Sequence, residues 1–410
     1  MARRRAWTRL AVACAAVIGS TVVSACGSGS GTSADRSGQI FTWAAGSQAQ
    51  WDAFVKAAQP QVPHTKITYQ GPSFSDYWTK VKTQYSGGGG PCLVTTQSAR
   101  TQELQPLLTP LDDLLKSKNV DVSRYDASMI KGMTIDGKLY ALPYDSEPFV
   151  VYYNKDLFAK YHLPAPGPNF TTAEFAADAK ALTKDGNFGF APSSGFDYFT
   201  SFAVGNGATW RDDAGNLKLD NNPQLAQVLQ QYFDLGAASH ATSEVVTGDK
   251  TTVEDRFSTG KIGMIVDGTW QYSSIAAYKN VHFGIAPAPS ATGNGPTMTE
   301  GSGWGISKGC KDKSKALDVL LALTSAKTEQ TVAAQLGIMP AQKSAQSAWA
   351  TGKQPADVTM IQNVLRSTEP QRTTPNWNIV QTLFGQYSPL GFTGRQSAAQ
   401  VLQHVSAAAQ

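Results

Sequence analysis

The chain has 410 residues, of which 41% are hydrophobic, 10% aromatic and only 16% charged, and its formal net charge is +4. This composition is typical of a globular protein and excludes a disordered tail. Four of the 35 basic residues are Arg3, Arg4, Arg5 and Arg9, so the rest of the chain carries 31 basic and 31 acidic residues. Because a neutral chain without a basic run lacks the positive surface that nucleic-acid binding requires, we expect no nucleic acid among its partners.

The N-terminus has the pattern of an export signal. Its arginines precede residues 10–23, a mostly apolar run that is too short for the ~20 residues of a membrane span. Residues 1–25 are therefore predicted to be a signal peptide. The small residues before Cys26 resemble the lipobox of bacterial lipoproteins, which implies cleavage before Cys26 and a diacylglycerol on its sulfur. The alternative is an ordinary cleavable signal that ends near a cysteine.

Residues 26–37 are predicted to be a lipidated, flexible tether, because they are rich in Gly and Ser and have nothing to bury. The remaining length, about 385 residues after cleavage, favours two lobes or domains. Cys14 leaves with the signal peptide and Cys26 carries the lipid. Cys92 and Cys310 then remain in an oxidising compartment, where a disulfide between them is predicted. The alternative is two buried thiols that pack as small hydrophobic groups.

The segment after the tether alternates between strand and helix patterns. The predicted elements are, in chain order, strand 39–43, helix 51–58, strand 66–70, helix 75–85 and strand 93–95. This alternation predicts an α/β lobe with a largely parallel sheet, whose ligand lies beyond the carboxyl ends of the strands. Those ends fall near residues 43–48 and 96–98.

Two apolar, extended segments at 140–144 and 149–153 are separated by Asp145, Ser146 and Glu147. Carboxylates inside a strand-like run are unusual, because a buried charge is costly unless it is paired. The pattern indicates either a solvated bulge or a crossover between lobes whose polar groups face a cleft.

The sequence lacks the standard signatures of enzymes and cofactor sites. It contains no Gly-x-Ser-x-Gly elbow, no Walker A motif, no His-Glu-x-x-His and no Gly-x-Gly-x-x-Gly. We therefore expect no catalytic residue, no metal and no cofactor. A glycoside hydrolase needs only two carboxyl groups about 5–10 Å apart, and it stays open as an alternative with the candidates Asp145, Glu147, Asp267 and Glu300.

Aromatic residues stand beside Gly, Asn and Asp in several predicted loops. Sugars present apolar C–H faces to aromatic rings and hydroxyls to acid and amide groups, so this pairing is the chemistry of carbohydrate binding. A single loop tryptophan more often covers the core, whereas five clusters together favour a ligand cleft. The clusters are 196–198, 207–210, 267–270, 301–304 and 376–377.

Four segments resemble those of a known family. They are 137–145 (GKLYALPYD), 153–158 (YNKDLF), 257–264 (FSTGKIGM) with 268–270 (GTW), and 303–308 (GWGISK). In this order the chain, from about residue 40 to 405, resembles the family-1 extracellular solute-binding proteins of ABC importers, the group that includes maltose-binding protein. The resemblance implies two α/β lobes, a hinge of crossing segments and a ligand cleft between the lobes, without catalysis.

Similarity of order implies a first lobe of 38–144 and 302–350 and a second lobe of 145–301 and 351–410. The resemblance also implies site residues. Trp270 is expected to stack on a sugar, Tyr198 to face the ligand and Trp377 to close the pocket, while Asp145 or Glu147 is the expected hinge-side acid. The other candidates, from strand ends and aromatic loops, are Trp43, Ser47, Gln97, Tyr144, Gly301, Ser302 and Trp304.

The expected function is capture of a mono- or oligosaccharide and its delivery to the permease subunits of an ABC transporter. The protein is expected to act as a lipid-anchored monomer at the outer face of the cytoplasmic membrane. Thr96-Gln97 stands where maltose-binding protein has an aromatic residue, which disfavours a malto-oligosaccharide. The alternative ligand is a glycerophosphodiester or another polar solute.

Overall fold

The computed structural model describes residues 35–43, 48–87, 89–212, 214–246 and 251–409. The predicted signal peptide, Cys26, most of the predicted tether and Ser47 lie outside these residues. No helix in the described ranges combines the length and the apolar character that crossing a membrane requires.

The described residues form two six-stranded sheets and one two-stranded sheet, with helices packed around them. The strands are β1 (Gln39–Phe41), β2 (Thr68–Gln70), β3 (Leu93–Gln97), β4 (Leu108–Thr109), β5 (Thr134–Ile135), β6 (Lys138–Leu139), β7 (Leu142–Pro143), β8 (Glu147–Asn154), β9 (Phe188–Phe190), β10 (Ile262–Gly268), β11 (Phe283–Pro287), β12 (Thr297–Glu300), β13 (Ser302–Ser307) and β14 (Thr368–Pro370). The helices are α1 (Ala49–Ala58), α2 (Phe74–Ser86), α3 (Thr101–Leu104), α4 (Asp112–Ser117), α5 (Ala127–Gly132), α6 (Lys155–Lys160), α7 (Thr172–Leu182), α8 (Phe196–Gly205), α9 (Pro223–Ala237), α10 (Val253–Ser258), α11 (Tyr272–Ala276), α12 (Lys313–Leu323), α13 (Ala326–Leu336), α14 (Pro355–Val364), α15 (Trp377–Phe392) and α16 (Ala398–Ala409).

The first sheet confirms the predicted α/β lobe. Its order is β2-β1-β3-β13-β4, with β7 also paired to β13. Strands β1, β2 and β3 run parallel, as the strand and helix alternation predicts. Strand β13 comes from far along the chain and pairs antiparallel with β3, so that Ser302 lies opposite Gln97.

The second sheet has the order β14-β12-β8-β10-β9, with β11 also paired to β8. Its central strand β8 is buried along its whole length, and its side chains alternate between two cores. Phe149 and Val151 belong to one core, and Val150 and Tyr152 belong to the other. This alternation explains the continuous apolar run in the sequence, because a strand that is covered on both faces needs apolar residues at every position.

Two separate cores give the molecule two lobes. The first core is built from residues 40–144 and 304–341. A second core is built from residues 149–298 and 377–409. Trp349, which the predicted division places in the first lobe, packs against Tyr272, with ring centroids 5.4 Å apart, in a third cluster on the other face of the second sheet.

Cys92 and Cys310 form a disulfide bond in the first lobe. Cys92 precedes β3 and Cys310 follows its neighbour β13, and the backbone N–H of Ser307 donates to the carbonyl of Cys92 at 2.8 Å. The bond therefore links the ends of two adjacent strands, and its two cysteines are 218 residues apart in the chain.

Removal of this bond is expected to destabilise the protein. For a loop of this length, restriction of the unfolded chain contributes about 3–5 kcal/mol to the free energy of unfolding. The double variant Cys92→Ala/Cys310→Ala should lose about this amount in urea denaturation, and reduced wild-type protein should behave like it. Equal unfolding midpoints for the oxidised protein and the double variant would contradict the expectation.

Candidate functional site

The predicted site residues gather where strands of both lobes end. In the first sheet, Trp43 follows β1, and Gln97 ends β3 opposite Ser302. In the second lobe, β10 ends at Gly268 and passes into a single helical turn, Thr269–Gln271, that contains Trp270. Since strand ends leave polar backbone and loop side chains outside the cores, they form the natural edge of a ligand cleft.

Two partly exposed aromatic side chains pack on one buried ring. Tyr198, in the first turn of α8, meets Phe149 edge-on with ring centroids 5.8 Å apart. Trp270 meets the same Phe149 edge-on at 5.2 Å. Edge-to-face packing leaves the other surfaces of both rings available while Phe149 fixes their positions. This pair has the chemistry of a sugar-stacking surface.

Four carboxylic acids are close enough to Tyr198 to affect its pKa, and we call them the acidic cluster: Asp197, Glu254, Asp267 and Glu300. Burial, together with the charges of all four, holds the pKa of Tyr198 well above its usual range. Burial is also the main cause that raises the pKa of Asp267 and of Glu300. Raised pKa values favour the protonated form, so this edge of the second lobe carries carboxyl groups that can both donate and accept hydrogen bonds.

Asp197 is fully engaged by protein donors. Its carboxylate accepts hydrogen bonds from the side-chain amides of Gln371 and Gln381, and from Trp377 Nε1 at 3.2 Å. Burial raises its pKa, and the charge of Arg100 opposes this rise. Asp197 thus fixes its neighbours and offers little free acceptor capacity.

In Glu254 and Asp267, only one oxygen of each carboxyl group accepts a hydrogen bond from a backbone or side-chain N–H. Asp267 Oδ1 accepts from the Gly268 backbone N–H at 2.7 Å, and Glu254 Oε1 accepts from the Gln271 side chain. The other oxygens, Asp267 Oδ2 and Glu254 Oε2, are buried and have no hydrogen-bond partner among the described residues. The two side chains also hydrogen-bond to each other, which together with burial raises the pKa of Asp267, so a proton shared between the two acids can serve these oxygens.

The first lobe supplies a cation that faces this cluster. The Arg100 guanidinium lies 5.0 Å from the centroid of the Trp78 ring and 3.1 Å from Glu103 Oε2. Arg100 also donates to Asn378 Oδ1 in α15 of the second lobe, and its charge lowers the pKa of Glu300. Arg100 therefore connects the two lobes beside the acidic cluster.

The residues Arg100 and Glu254 were not among the sequence-predicted site residues. Arg100 lies three positions beyond the end of β3 and two positions beyond residues 96–98, the edge that the strand pattern favours for a ligand. The sequence analysis contains no signal for Glu254, which the structure places in the first turn of α10.

The two candidate hinge acids are held by protein groups. The Ser302 backbone N–H donates to Asp145 Oδ1. Glu147 Oε1 accepts from the Met339 backbone N–H at 2.9 Å, and Glu147 Oε2 accepts from the Thr269 hydroxyl. The structure thus assigns both acids to the crossover between lobes, and the ligand contact expected for one of them is not favoured.

Four aromatic candidates differ from their expected roles, because their rings are buried in the cores. The rings of Tyr144 and Trp304 pack in the first core with centroids 4.3 Å apart, and Trp43 packs there against Trp51 at 6.0 Å. Trp377 is fully buried against Phe196 in the second core. These four rings are therefore part of the hydrophobic cores of the two lobes and do not line the cleft.

Gly301 has a packing role. A Cβ at this position would lie 2.1 Å from Met129 Sδ and 2.5 Å from the Asp145 carbonyl oxygen, so only glycine fits between them. Gln97 is partly buried at the strand end, and Ser302 is buried, with its N–H engaged by Asp145. Within the described ranges, no group of three or more His, Cys, Asp or Glu side chains is arranged to hold a metal ion.

This two-lobe α/β fold, with a cleft edge at the strand ends, agrees with a family match that covers most of the chain. The sequence model for bacterial extracellular solute-binding proteins matches residues 49–360. The chain belongs to this family.

Two proteins that are similar in sequence are named as binding proteins. A galactooligosaccharide-binding protein of Bacillus subtilis (strain 168) is 24% identical over 421 aligned positions, which cover 97% of this chain and 95% of that protein. A putative binding protein of Brucella abortus (strain 2308) is 24% identical over 282 residues, 65% of this chain and 66% of its own length, so this match spans slightly less than two thirds of that relative.

A solved structure shares the fold. An ABC substrate-binding protein of Listeria monocytogenes, in complex with cycloalternan, has a TM-score of 0.80 at 20% identity and covers 90% of this chain and 97% of that one. These similar proteins are described as binding proteins and not as enzymes.

Glu147 should make stability depend on pH. Burial raises its pKa from 4.5 to about 7, so the folded protein binds this proton more tightly than the unfolded chain does. The resulting stability is fully present below pH 4.5 and is lost as the pH rises through 7. Relative to Glu147→Gln, the wild type should lose up to about 3 kcal/mol over this window, as measured by urea denaturation. A difference between the two proteins that does not change with pH would contradict this role.

Proposed function

We propose that this protein captures a mono- or oligosaccharide outside the cytoplasm and delivers it to the permease of an ABC transporter. The observation that carries this proposal is the pair of aromatic rings, Tyr198 and Trp270, held on Phe149 near the carboxyl groups of the acidic cluster. A sugar fits both parts, because its C–H faces pack on rings and its hydroxyls donate hydrogen bonds. The name of the Bacillus relative supports a saccharide as the ligand class.

The energetics are adequate for useful affinity. A micromolar dissociation constant corresponds to about −8 kcal/mol. A few hydrogen bonds to charged groups, at roughly 1.5–3 kcal/mol each, and one or two aromatic contacts can supply this after the costs of association. Binding of this kind needs no bond breaking, and we propose that the protein releases its ligand unchanged.

The acidic cluster disfavours the alternative of a glycerophosphodiester. A phosphate beside Glu254 and Asp267 would meet two carboxyl groups, while Arg100 is already engaged by Glu103 and Asn378. Like charges at short distance in a partly dry site repel strongly, so an anionic ligand is the weaker candidate.

Trp270→Ala is expected to weaken binding at least tenfold without unfolding the protein, because it removes the proposed stacking ring. The ligand is first identified by thermal shift across a saccharide panel, since a ligand that binds only the folded protein raises its apparent stability. Affinities are then measured by isothermal titration calorimetry. Phe188→Ala is the matched control. It removes an exposed aromatic side chain at the start of β9, next to the start of β10, whereas Trp270 follows the end of β10. Unchanged affinity in Trp270→Ala would refute the stacking role.

We further propose that Cys26 carries a diacylglycerol that holds the protein at the outer face of the membrane. Two acyl chains anchor a protein stably, whereas one does so only marginally. In cells, Cys26→Ser should release the protein from the membrane fraction or leave its precursor unprocessed. Intact-mass analysis should show a mature N-terminus at Cys26 with the added lipid mass, and a different N-terminus without lipid would exclude the anchor.

A further inference from the structure

Phe74, the first residue of α2, is an exposed aromatic side chain in the first lobe. It is 44% exposed, and the other exposed phenylalanine of the described residues, Phe188, lies in the second lobe. Two buried tryptophans pack nearly perpendicular to its ring, Trp43 with ring centroids 5.4 Å apart and Trp78 at 5.7 Å. The core therefore fixes the Phe74 ring in place while a large part of that ring faces water.

The topology of the first sheet places Phe74 at the edge where a ligand is expected. Strands β1, β2 and β3 run parallel, so their carboxyl ends lie along one edge. Trp43 follows the end of β1, and α2 begins shortly after the end of β2. The end of β3 carries Thr96 and Gln97, which have no ring. Phe74 is thus the exposed ring that this edge of the first lobe offers.

The turn after β3 connects the surroundings of Phe74 to the second lobe. Arg100 in this turn lies over the ring of Trp78, with its guanidinium carbon 5.0 Å from the ring centroid, and donates to Asn378 of α15. A backbone carbonyl of the same turn accepts from the hydroxyl of Thr373, which follows β14 of the second sheet. Because both hydrogen bonds cross between the lobes, Trp78 and the Phe74 ring that packs on it lie next to the junction of the two lobes.

The aromatic surface at Phe74 is distinct from the one on the second lobe. Trp78 is buried and covered by Arg100, so Phe74 is the ring of this group that a ligand can reach. No ring contact between described residues joins Phe74 to Tyr198 or Trp270. The structure therefore presents one exposed aromatic surface on each lobe, and both lie at strand ends.

The surroundings of Phe74 suit a sugar better than a protein partner. Asp76 and Lys80, on the same helix, form an exposed ion pair at 3.2 Å, and Arg100 lies on the neighbouring Trp78 ring. A stable interface with a protein covers about 800 Å² of each partner. A single ring among charged groups is much smaller, but it matches one sugar unit, whose C–H face packs on the ring while its hydroxyls remain among polar groups.

We propose that Phe74 is a second stacking surface of the ligand site, and that the ligand is an oligosaccharide with one sugar unit on Trp270 and Tyr198 and another on Phe74. This inference rests on the saccharide-binding function proposed above, and it narrows the ligand from a mono- or oligosaccharide to a chain of at least two units. Phe74 is then a residue that determines specificity for ligand length, because a monosaccharide on the second lobe does not reach it.

The test compares sugars of one kind that differ in length. Galactose, mannose and glucose are compared by isothermal titration calorimetry with β-1,4-galactobiose and galactotriose, β-1,4-mannobiose and mannotriose, cellobiose and cellotriose, and maltose and maltotriose. We expect the di- or trisaccharide of at least one series to bind ten or more times tighter than its monosaccharide. Phe74→Ala should weaken binding of that oligosaccharide at least tenfold and change binding of the monosaccharide less than threefold. Trp270→Ala should weaken both.

Two further variants separate stacking from packing. Phe74→Tyr keeps the ring and should bind the oligosaccharide within threefold of the wild type, and Phe188→Ala removes the exposed ring of the second lobe and should do the same. Thermal unfolding of each variant without ligand shows whether the fold is retained, which is expected because the Phe74 side chain is exposed.

The outcomes distinguish this inference from the function on which it rests. The inference is overturned if oligosaccharides bind no tighter than monosaccharides in every series, if Phe74→Ala weakens both lengths equally, or if its effect on the oligosaccharide is less than tenfold. In each of these cases, binding that Trp270→Ala weakens would leave the saccharide-binding function intact. No binding of any sugar in the panel or in these series would refute both.

Discussion

A carboxylate that is taken out of water must be held by hydrogen-bond donors, and Glu147 meets this constraint by joining three distant parts of the chain. It begins β8, and its two oxygens accept from the Met339 backbone and from the Thr269 side chain. Met339 follows α13, and Thr269 precedes Trp270. One buried side chain thus fixes both a crossover between the lobes and the turn that carries the proposed stacking ring.

The same turn connects this crossover to the acidic cluster. Thr269 binds Glu147, while its neighbours Gly268 and Gln271 bind Asp267 and Glu254. Three residues of this four-residue segment therefore donate hydrogen bonds to three buried acids. Because such acids tolerate little displacement without losing their donors, the turn is preorganised and the site pays a small ordering cost on binding.

The sequence was most informative where the physics is local. The spacing of apolar residues predicted the helices at 51–58 and 75–85, which the structure places at Ala49–Ala58 and Phe74–Ser86. The apolar run at 149–153 predicted an extended segment, and its alternation between two cores shows why every residue in it is apolar. The two-lobe fold was predicted from the resemblance to a known family and not from local patterns. Strand β3 pairs with β13, for example Gln97 with Ser302, and no local pattern reveals a pairing between residues so far apart in the chain.

The site was less predictable from the sequence, because tertiary packing decides whether an aromatic ring is buried in a core or exposed at the cleft. Trp304 and Trp377 are next to glycine and asparagine in the sequence, and Trp270 follows Gly268 by two residues, yet only Trp270 of the three is partly exposed. Trp304 packs against Tyr144 and Trp377 against Phe196 inside the cores, where both are fully buried, while Trp270 packs on Phe149 at the edge of its core. Each of these partners is remote in sequence.

The two lobes contribute opposite charges to this region: the first lobe supplies Arg100, and the second lobe supplies the acidic cluster. Arg100 of the first lobe lowers the pKa of Asp197 and Glu300, which opposes the effect of burial on both acids. Because its contact with Asn378 crosses to the second lobe, this compensation operates when the lobes are together. Separation of the lobes would expose these acids to water, which reduces their need for a partner. Arg100 therefore links the contact between the lobes to the electrostatics of two buried acids in the second lobe.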